Sequence, residues 1–233
     1  MRKLIVNTIV VILLRLHNFT YRALTLLTPL LEPDYLHPKH RITNYHQFFL
    51  DNISQSDTVL DVGCGNGALT LDIAGKARRV VGVDIKPKNI EKANKKKHKK
   101  HFLGNEFVKS ICPFSNVTFI CGDIFTCLSY SKLLPFDVVV LSNVLEHITR
   151  RGELLMKLKA ISPKLLIRVP MLDRDWLTLY KKEKEISYML DSDHKVEYTL
   201  ESFKNELASV GLKVDSYQIN YGEIWSVVTC GKK

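Results

Sequence analysis

From Asn52 onward, short valine-rich apolar runs alternate with longer stretches whose apolar residues recur every three or four positions. The runs are Thr58–Val62, Arg79–Asp84, Val117–Cys121, Phe136–Ser142 and Lys164–Val169. They are near-continuously apolar rather than alternating, as expected of strands buried on both faces. Ala68–Lys76, the segment after Pro87 and Arg151–Ile161 read as the intervening helices, with Pro87 suited to a first helical turn. Before them, Ile42, Tyr45, Phe48 and Phe49 fall on one face of a helix expected over Arg41–Asn52. After them, Thr199 is a good N-cap with Ser202 at N3, and Phe203, Leu207 and Val210 form the face of a last helix ending at Gly211. Leu212–Ile219 and Ile224–Cys230 can pair as a hairpin across Asn220–Gly222. Strand and helix in alternation predict an α/β, doubly wound sheet with helices on both faces. Such sheets bind ligands at the carboxyl ends of their strands, so those ends carry the candidate chemistry.

The first 38 residues stand outside this alternation, and Glu32-Pro33 and His37-Pro38 separate them from the rest. The expected division is an apolar helical extension over 1–38 and a catalytic domain over 39–233. Leu4–Leu14 is apolar apart from Asn7 and Thr8, and Arg15 ends the run. Eleven residues fall short of the roughly 20 that span a bilayer as a helix. No small-residue cleavage site follows, so a signal peptide is not expected. Two readings stay open: a helical hairpin packed on the domain or closing over its site, or an interfacial helix resting on a membrane through residues 1–33. Arg2, Lys3, Arg15 and Arg22 favour the second.

The net charge of +10 raises the prospect of an anionic partner, but its distribution weakens that inference. Nine lysines lie between Lys86 and Lys109, in what looks like a solvated helix and an insertion over Lys95–Asn116. Only Phe102, Phe107 and Phe114 interleave with this charge, so nucleic acid is not the expected partner. The five cysteines are odd in number and none has CxxC spacing, which predicts neither disulfides nor a zinc site and fits a reducing cytoplasm.

The first strand runs into Asp61-Val-Gly63-Cys64-Gly65-Asn-Gly67, a glycine turn that lets backbone approach a ligand closely. Gly63-x-Gly65-x-x-Ala68 also satisfies a dinucleotide fingerprint, and Asp84 at the end of strand two suits a ribose in either case. Asp61 separates the two possibilities. A carboxylate there opposes a pyrophosphate and suits an ammonium group, such as that of S-adenosylmethionine. Asp123, ending strand three, can accept from an adenine amino group with Ile124 packed on the ring.

Val59-Leu-Asp-Val-Gly-Cys-Gly-Asn-Gly-Ala68, Val81-Gly-Val-Asp84, Cys121-Gly-Asp123 and Phe136-Asp-Val-Val-Val-Leu-Ser-Asn-Val-Leu-Glu-His147 together resemble the class I S-adenosylmethionine-dependent methyltransferases, over about Arg41 to Cys230. The resemblance implies a Rossmann-like seven-stranded sheet whose last strand runs antiparallel. It implies S-adenosylmethionine as cofactor, with Gly63, Cys64, Gly65 and Gly67 at its methionine end. Asp84 and Ile85 would lie at the ribose, Asp123 and Ile124 at adenine, and Ser142 and Asn143 beside the sulfonium and acceptor. Arg41 would meet the cofactor carboxylate, as a basic residue does in many relatives.

His147 and His194 are the candidate catalytic residues. In ubiquinone-pathway and small-RNA 2′-O-methyltransferases a similar Glu-His pair helps bind a divalent metal, together with a glutamate three positions earlier. Asn143 occupies that earlier position here, so no metal is expected. His194 lies among Asp191, Asp193 and Glu197, which can raise its basicity. The long connection after strand five, with Trp176 and Tyr180, is a candidate acceptor wall.

The expected function is methyl transfer to oxygen of a small-molecule, sugar or lipid-linked acceptor, by a cytoplasmic enzyme open to peripheral membrane association. The alternatives are an RNA ribose methyltransferase, a non-catalytic cofactor-binding module and, last, a dehydrogenase.

Overall fold

A computed structural model describes residues 1–32, 37–98, 114–130 and 135–230. Among them, seven strands form one sheet: β1 (Thr58–Val62), β2 (Arg79–Asp84), β3 (Val117–Cys121), β4 (Val138–Ser142), β5 (Lys164–Pro170), β6 (Leu212–Asn220) and β7 (Glu223–Cys230). Their order is β3-β2-β1-β4-β5-β7-β6. The first five strands are mutually parallel, and β7 enters antiparallel between β5 and β6. This is the doubly wound architecture expected from the alternation, with β6 and β7 joined through Tyr221 and Gly222, both at positive φ as a tight hairpin turn requires.

Helices cover both faces. On one lie α3 (Tyr45–Asp51), α4 (Ala68–Ala74) and α5 (Pro87–Lys97); Phe49, Ile73 and Leu69 pack there against Val80, Val140 and Leu166. On the other lie α6 (Ile124–Tyr130), α7 (Arg151–Ile161) and α9 (Leu200–Ser209); Leu154, Leu158, Phe203 and Leu207 meet Leu60, Val139 and Leu165. Residues alternate between these two cores along each strand, which is why the strands read as unbroken apolar runs. The N-cap expected at Thr199 is present and forms a capping box: its side chain accepts from Ser202 N, and the Ser202 hydroxyl accepts from Thr199 N.

Four boundaries differ from the sequence reading. The N-terminal segment is not a hairpin: α1 (Arg2–Leu27) is one continuous helix, since the stretch holds no glycine and Pro29 lies beyond its end. The single helix expected over Arg41–Asn52 is two, α2 (Lys39–Thr43) and α3, broken where Asn44 turns left-handed at φ 47°. Strand four starts at Val138 rather than Phe136, because Asp137 instead accepts from Thr58 N and Oγ1. Helix α6 was not anticipated, though Asp123 Oδ1 starts it by accepting from Phe125 N. Most of the lysine-rich insertion falls outside the described residues. The remaining helix, α8 (Trp176–Glu183), follows β5 and begins at Asp175, whose side chain accepts from Thr178 N.

Candidate active site

The carboxyl ends of β1, β2, β3 and β4 surround a cleft of about 450 Å³. Of the residues expected at the cofactor, Gly63, Gly65, Asp84, Ile85, Asp123, Ile124 and Asn143 line it, and so does His147. Lys86, Asn89, Phe125, Val144, Ile148 and Asp193 are also among its lining.

The glycine loop is held open by its neighbours. Gly63 N and Cys64 N both donate to Val83 O, at 2.8 and 3.0 Å, tying the loop to the end of β2. Gly67 sits at φ 76°, and a Cβ there would come within 2.8 Å of Ala93 Cβ and of Phe119. A side chain would therefore wedge the loop off α5 and β3. Asp84, 8% exposed, accepts from Gly65 N at 2.9 Å through one oxygen, and from Lys86 N and Asn89 Nδ2 at 2.8 and 3.1 Å through the other. Three donors fix the carboxylate at the cleft wall and leave one lone pair, on Oδ2, for a ligand hydroxyl; a second hydroxyl would take the place of Asn89, the longest of the three bonds.

Several expected residues lie elsewhere. Asp61 is beneath the loop, buried, with Thr70 Oγ1 donating to it at 2.6 Å, and burial pushes its carboxyl up to about 7. Cys64 and Gly67 support the loop without lining the cleft, and Ser142 accepts from Arg168 at 3.3 Å. Arg41 is not brought to the cleft; its exposed guanidinium pairs with Glu32 at 2.7 Å. The described cysteines, Cys64, Cys121, Cys127 and Cys230, are free thiols.

Past Asn143, which turns at φ 55°, a short 3₁₀ segment (Leu145–His147) carries Glu146 inward and His147 to the cleft. Glu146 O accepts from Lys195 N at 2.6 Å and so docks the 191–196 loop, setting His194 beside His147 with ring centroids 4.7 Å apart. His194 Nδ1 meets Glu197 Oε1 at 2.9 Å, and Glu197 is buried and also paired with Arg174. The two histidines titrate in opposite directions. Burial lowers His147 despite Asp193 at 3.1 Å from its Nδ1. Burial also acts to lower His194, but the Glu197 hydrogen bond and nearby carboxylates outweigh it and the net shift is upward. At neutral pH His147 is thus the imidazole free to accept a proton.

Glu146 itself is fully buried, and neither carboxylate oxygen has a hydrogen-bond partner among the described residues. Burial pushes its carboxyl up to about 7 from an ordinary 4.5. Donor atoms of Glu146, His147 and His194 lie within 4.8 Å of one another, so one carboxylate and two imidazoles fit a divalent cation that leaves positions open. Asn143 had argued against a metal, but His194 supplies a third donor that only the fold brings into place. Without a cation, Glu146 weakens the fold as pH rises. Folding favours its protonated form, so stability declines from about pH 4.5 to 7 and stays lower above. Glu146→Gln is expected to raise the stability of the ligand-free protein at pH 8 by roughly 1–3 kcal/mol and to flatten that slope. Urea melts across this pH range check it; Asp61 adds a slope of the same sign in both forms.

Sequence reasoning missed Arg168. Its guanidinium, 2% exposed, pairs with Glu223 at 2.6 and 2.7 Å and lies 3.7 Å from the Tyr45 ring centroid. Trp225 Nε1 donates to the same glutamate at 3.0 Å. An arginine inside the apolar run Lys164-Leu-Leu-Ile-Arg-Val-Pro170 was the available signal.

Comparison with known proteins agrees with this fold. Residues 53–203 match the family model described as "Methyltransferase domain". The chain is 28% identical over 191 residues to the small RNA 2′-O-methyltransferase of Arabidopsis thaliana, covering 73% of this chain and 19% of that protein. It is 28% identical over 122 residues to the ubiquinone biosynthesis O-methyltransferase of Bradyrhizobium diazoefficiens, covering 51% and 41%. It therefore spans less than half the length of either relative. Among solved structures, the magnesium protoporphyrin IX methyltransferase from Synechocystis PCC 6803 with bound S-adenosylhomocysteine shares the fold at a TM-score of 0.59, with 18% identity and 82% of each chain covered. The chain belongs to the methyltransferase-domain family, and it shares its fold with a methyltransferase structure that holds S-adenosylhomocysteine.

Proposed function

We propose that the chain transfers the methyl group of S-adenosylmethionine to a hydroxyl oxygen of a small-molecule, sugar or lipid-linked acceptor, with residues 39–233 as the catalytic unit. The observation that carries this reading is the His147–His194 pair beside a cleft whose other end holds Asp84. The sulfonium is already activated, so in-line transfer requires chiefly positioning. A hydroxyl acceptor also has to lose its proton. His147, held neutral at the cleft wall, is placed to take that proton, and His194 positions it from behind. Asp84 would hold the ribose hydroxyls, with Asp123 and Ile124 at the adenine.

Glu146, His147 and His194 would hold a divalent cation, which when bound makes an acceptor hydroxyl more acidic. His147 cannot serve a metal and a proton through the same nitrogen, so metal content decides between the two uses. A screen of acceptors by S-adenosylhomocysteine release, followed by mass spectrometry of the product, tests the reading. Methyl is expected on oxygen. His147→Ala is expected to lower kcat by about 10²–10⁴-fold with a smaller change in cofactor affinity. Methyl found on nitrogen or carbon, or full turnover by His147→Ala, removes it. If chelation stops the wild type and added Mn²⁺ restores it, the metal use holds.

A second reading, methylation of an RNA ribose hydroxyl, draws support from the Arabidopsis relative and the net charge of +10. It uses the same oxygen chemistry. RNA affinity that falls linearly in log–log terms with salt would favour it.

A further inference from the structure

Helix α1 presents an apolar surface that the domain leaves uncovered. Val10 and Val11 are its first partly buried residues and Leu14 is buried, while residues 1–9 are all exposed. Leu4, Ile5, Val6, Ile9, Ile12 and Leu13 are each more than half exposed. At 100° per residue these six sweep an arc of about 200°, twice the stripe a helix lays against one protein partner. An arc that wide suits an apolar medium surrounding the helix rather than a groove or a second copy of the chain.

Charge narrows the medium further. Residues 1–31 hold Arg2, Lys3, Arg15 and Arg22 and no acidic residue. Lipid with anionic headgroups matches an apolar face edged by cations. Beside α1, Trp176 at the start of α8 is 74% exposed, and it lines a pocket of about 310 Å³ together with His17, Asn18 and Tyr21. An exposed tryptophan with Lys182 and Lys184 close by in sequence is the side-chain mixture of a membrane–water boundary.

The docking of α1 also sets how deep it can go. By length and composition the helix could cross a membrane. Yet its middle is held to the domain: Asn18 Nδ2 donates to Ser187 O, and Lys181 Nζ donates to Asn18 Oδ1, both at 2.6 Å. With Leu14 buried and Asn18 pinned, the described helix offers lipid the exposed residues within Leu4–Leu13, a length of about 15 Å, half of the roughly 30 Å hydrocarbon core. We propose that α1, together with the Trp176 end of α8, docks on an anionic phospholipid bilayer and lies in the interface of one leaflet without spanning it.

The test is flotation of the full chain with vesicles of phosphatidylcholine alone and of phosphatidylcholine mixed with phosphatidylglycerol. The wild type is expected to float with the mixed vesicles, and Trp176 fluorescence to shift to the blue. Trp225 is 4% exposed and should stay silent, so Trp176→Phe should remove the shift. The combined substitution Ile5→Glu, Ile9→Glu and Leu13→Glu should lower the bound fraction at least about tenfold. Unchanged S-adenosylhomocysteine affinity in that variant shows that its fold and cofactor site are intact, so the lipid result stands apart from the catalytic reading. Equal flotation of both forms overturns the proposal. So does a wild type that ignores anionic vesicles, or one that dimerises in solution through these same residues.

Discussion

Asp84→Ala is expected to weaken S-adenosylhomocysteine binding by at least about 100-fold, measured by isothermal titration. The carboxylate is held at the cleft wall by Gly65 N, Lys86 N and Asn89, so its position is set before any ligand arrives. Two hydroxyl-to-carboxylate hydrogen bonds, each worth roughly 1.5–3 kcal/mol, would be lost together. The substitution also releases Gly65 N, which loosens the loop that faces the ligand. Asp84→Asn separates these contributions: it keeps the shape and an acceptor oxygen but loses the charge, and its affinity should fall between the two. Affinity retained in Asp84→Ala would remove the ribose assignment.

Arg168→Met is expected to destabilise the protein by about 3–5 kcal/mol, because it strands Glu223 as a buried charge. That is a large share of the 5–15 kcal/mol that holds a typical domain together. In urea melts at pH 7 the midpoint should fall sharply. The double variant Arg168→Met with Glu223→Leu should recover much of the loss, since a buried ion pair replaced by apolar groups is often close to neutral. A single-variant loss within about 0.5 kcal/mol, the usual range of a surface change, would show that the pair does not hold β5 to β7 as its geometry indicates. Because Arg168 also donates to Ser142 Oγ and packs on Tyr45, the pair ties the far half of the sheet to the helix before β1.

What the sequence made legible follows from where information is local. Parallel strands buried on both faces announce themselves as valine-rich runs, and the residues at their ends follow at once. Asp84, Asp123 and the glycine loop were found this way. The helix cap at Thr199 needed only two residues three apart. Contacts between segments distant in sequence were harder to read. His194 could be named as a candidate, but only the bond from Lys195 N to Glu146 O brings it to His147. The metal-competent cluster was dismissed on Asn143, a neighbour in sequence, when its third donor comes from a loop 47 positions after His147. Arg41 was chosen for its place in the chain, and its exposed guanidinium pairs with Glu32. For the N-terminal segment a packed hairpin and an interfacial helix both stayed open, because the polar residues at the middle of α1 have partners that are distant in sequence. Those polar residues dock the helix on α8.

The central claim is that the cleft at the strand ends binds the methyl donor with its reactive end toward His147. A crystal structure of the protein with S-adenosylhomocysteine tests it most directly. The expected result is a ligand with its ribose hydroxyls on Asp84, its adenine between Asp123 and Ile124, and its sulfur on the side of the cleft lined by Asn143 and His147. A ligand bound outside this cleft, or inside it with the sulfur turned away from His147, would contradict the account.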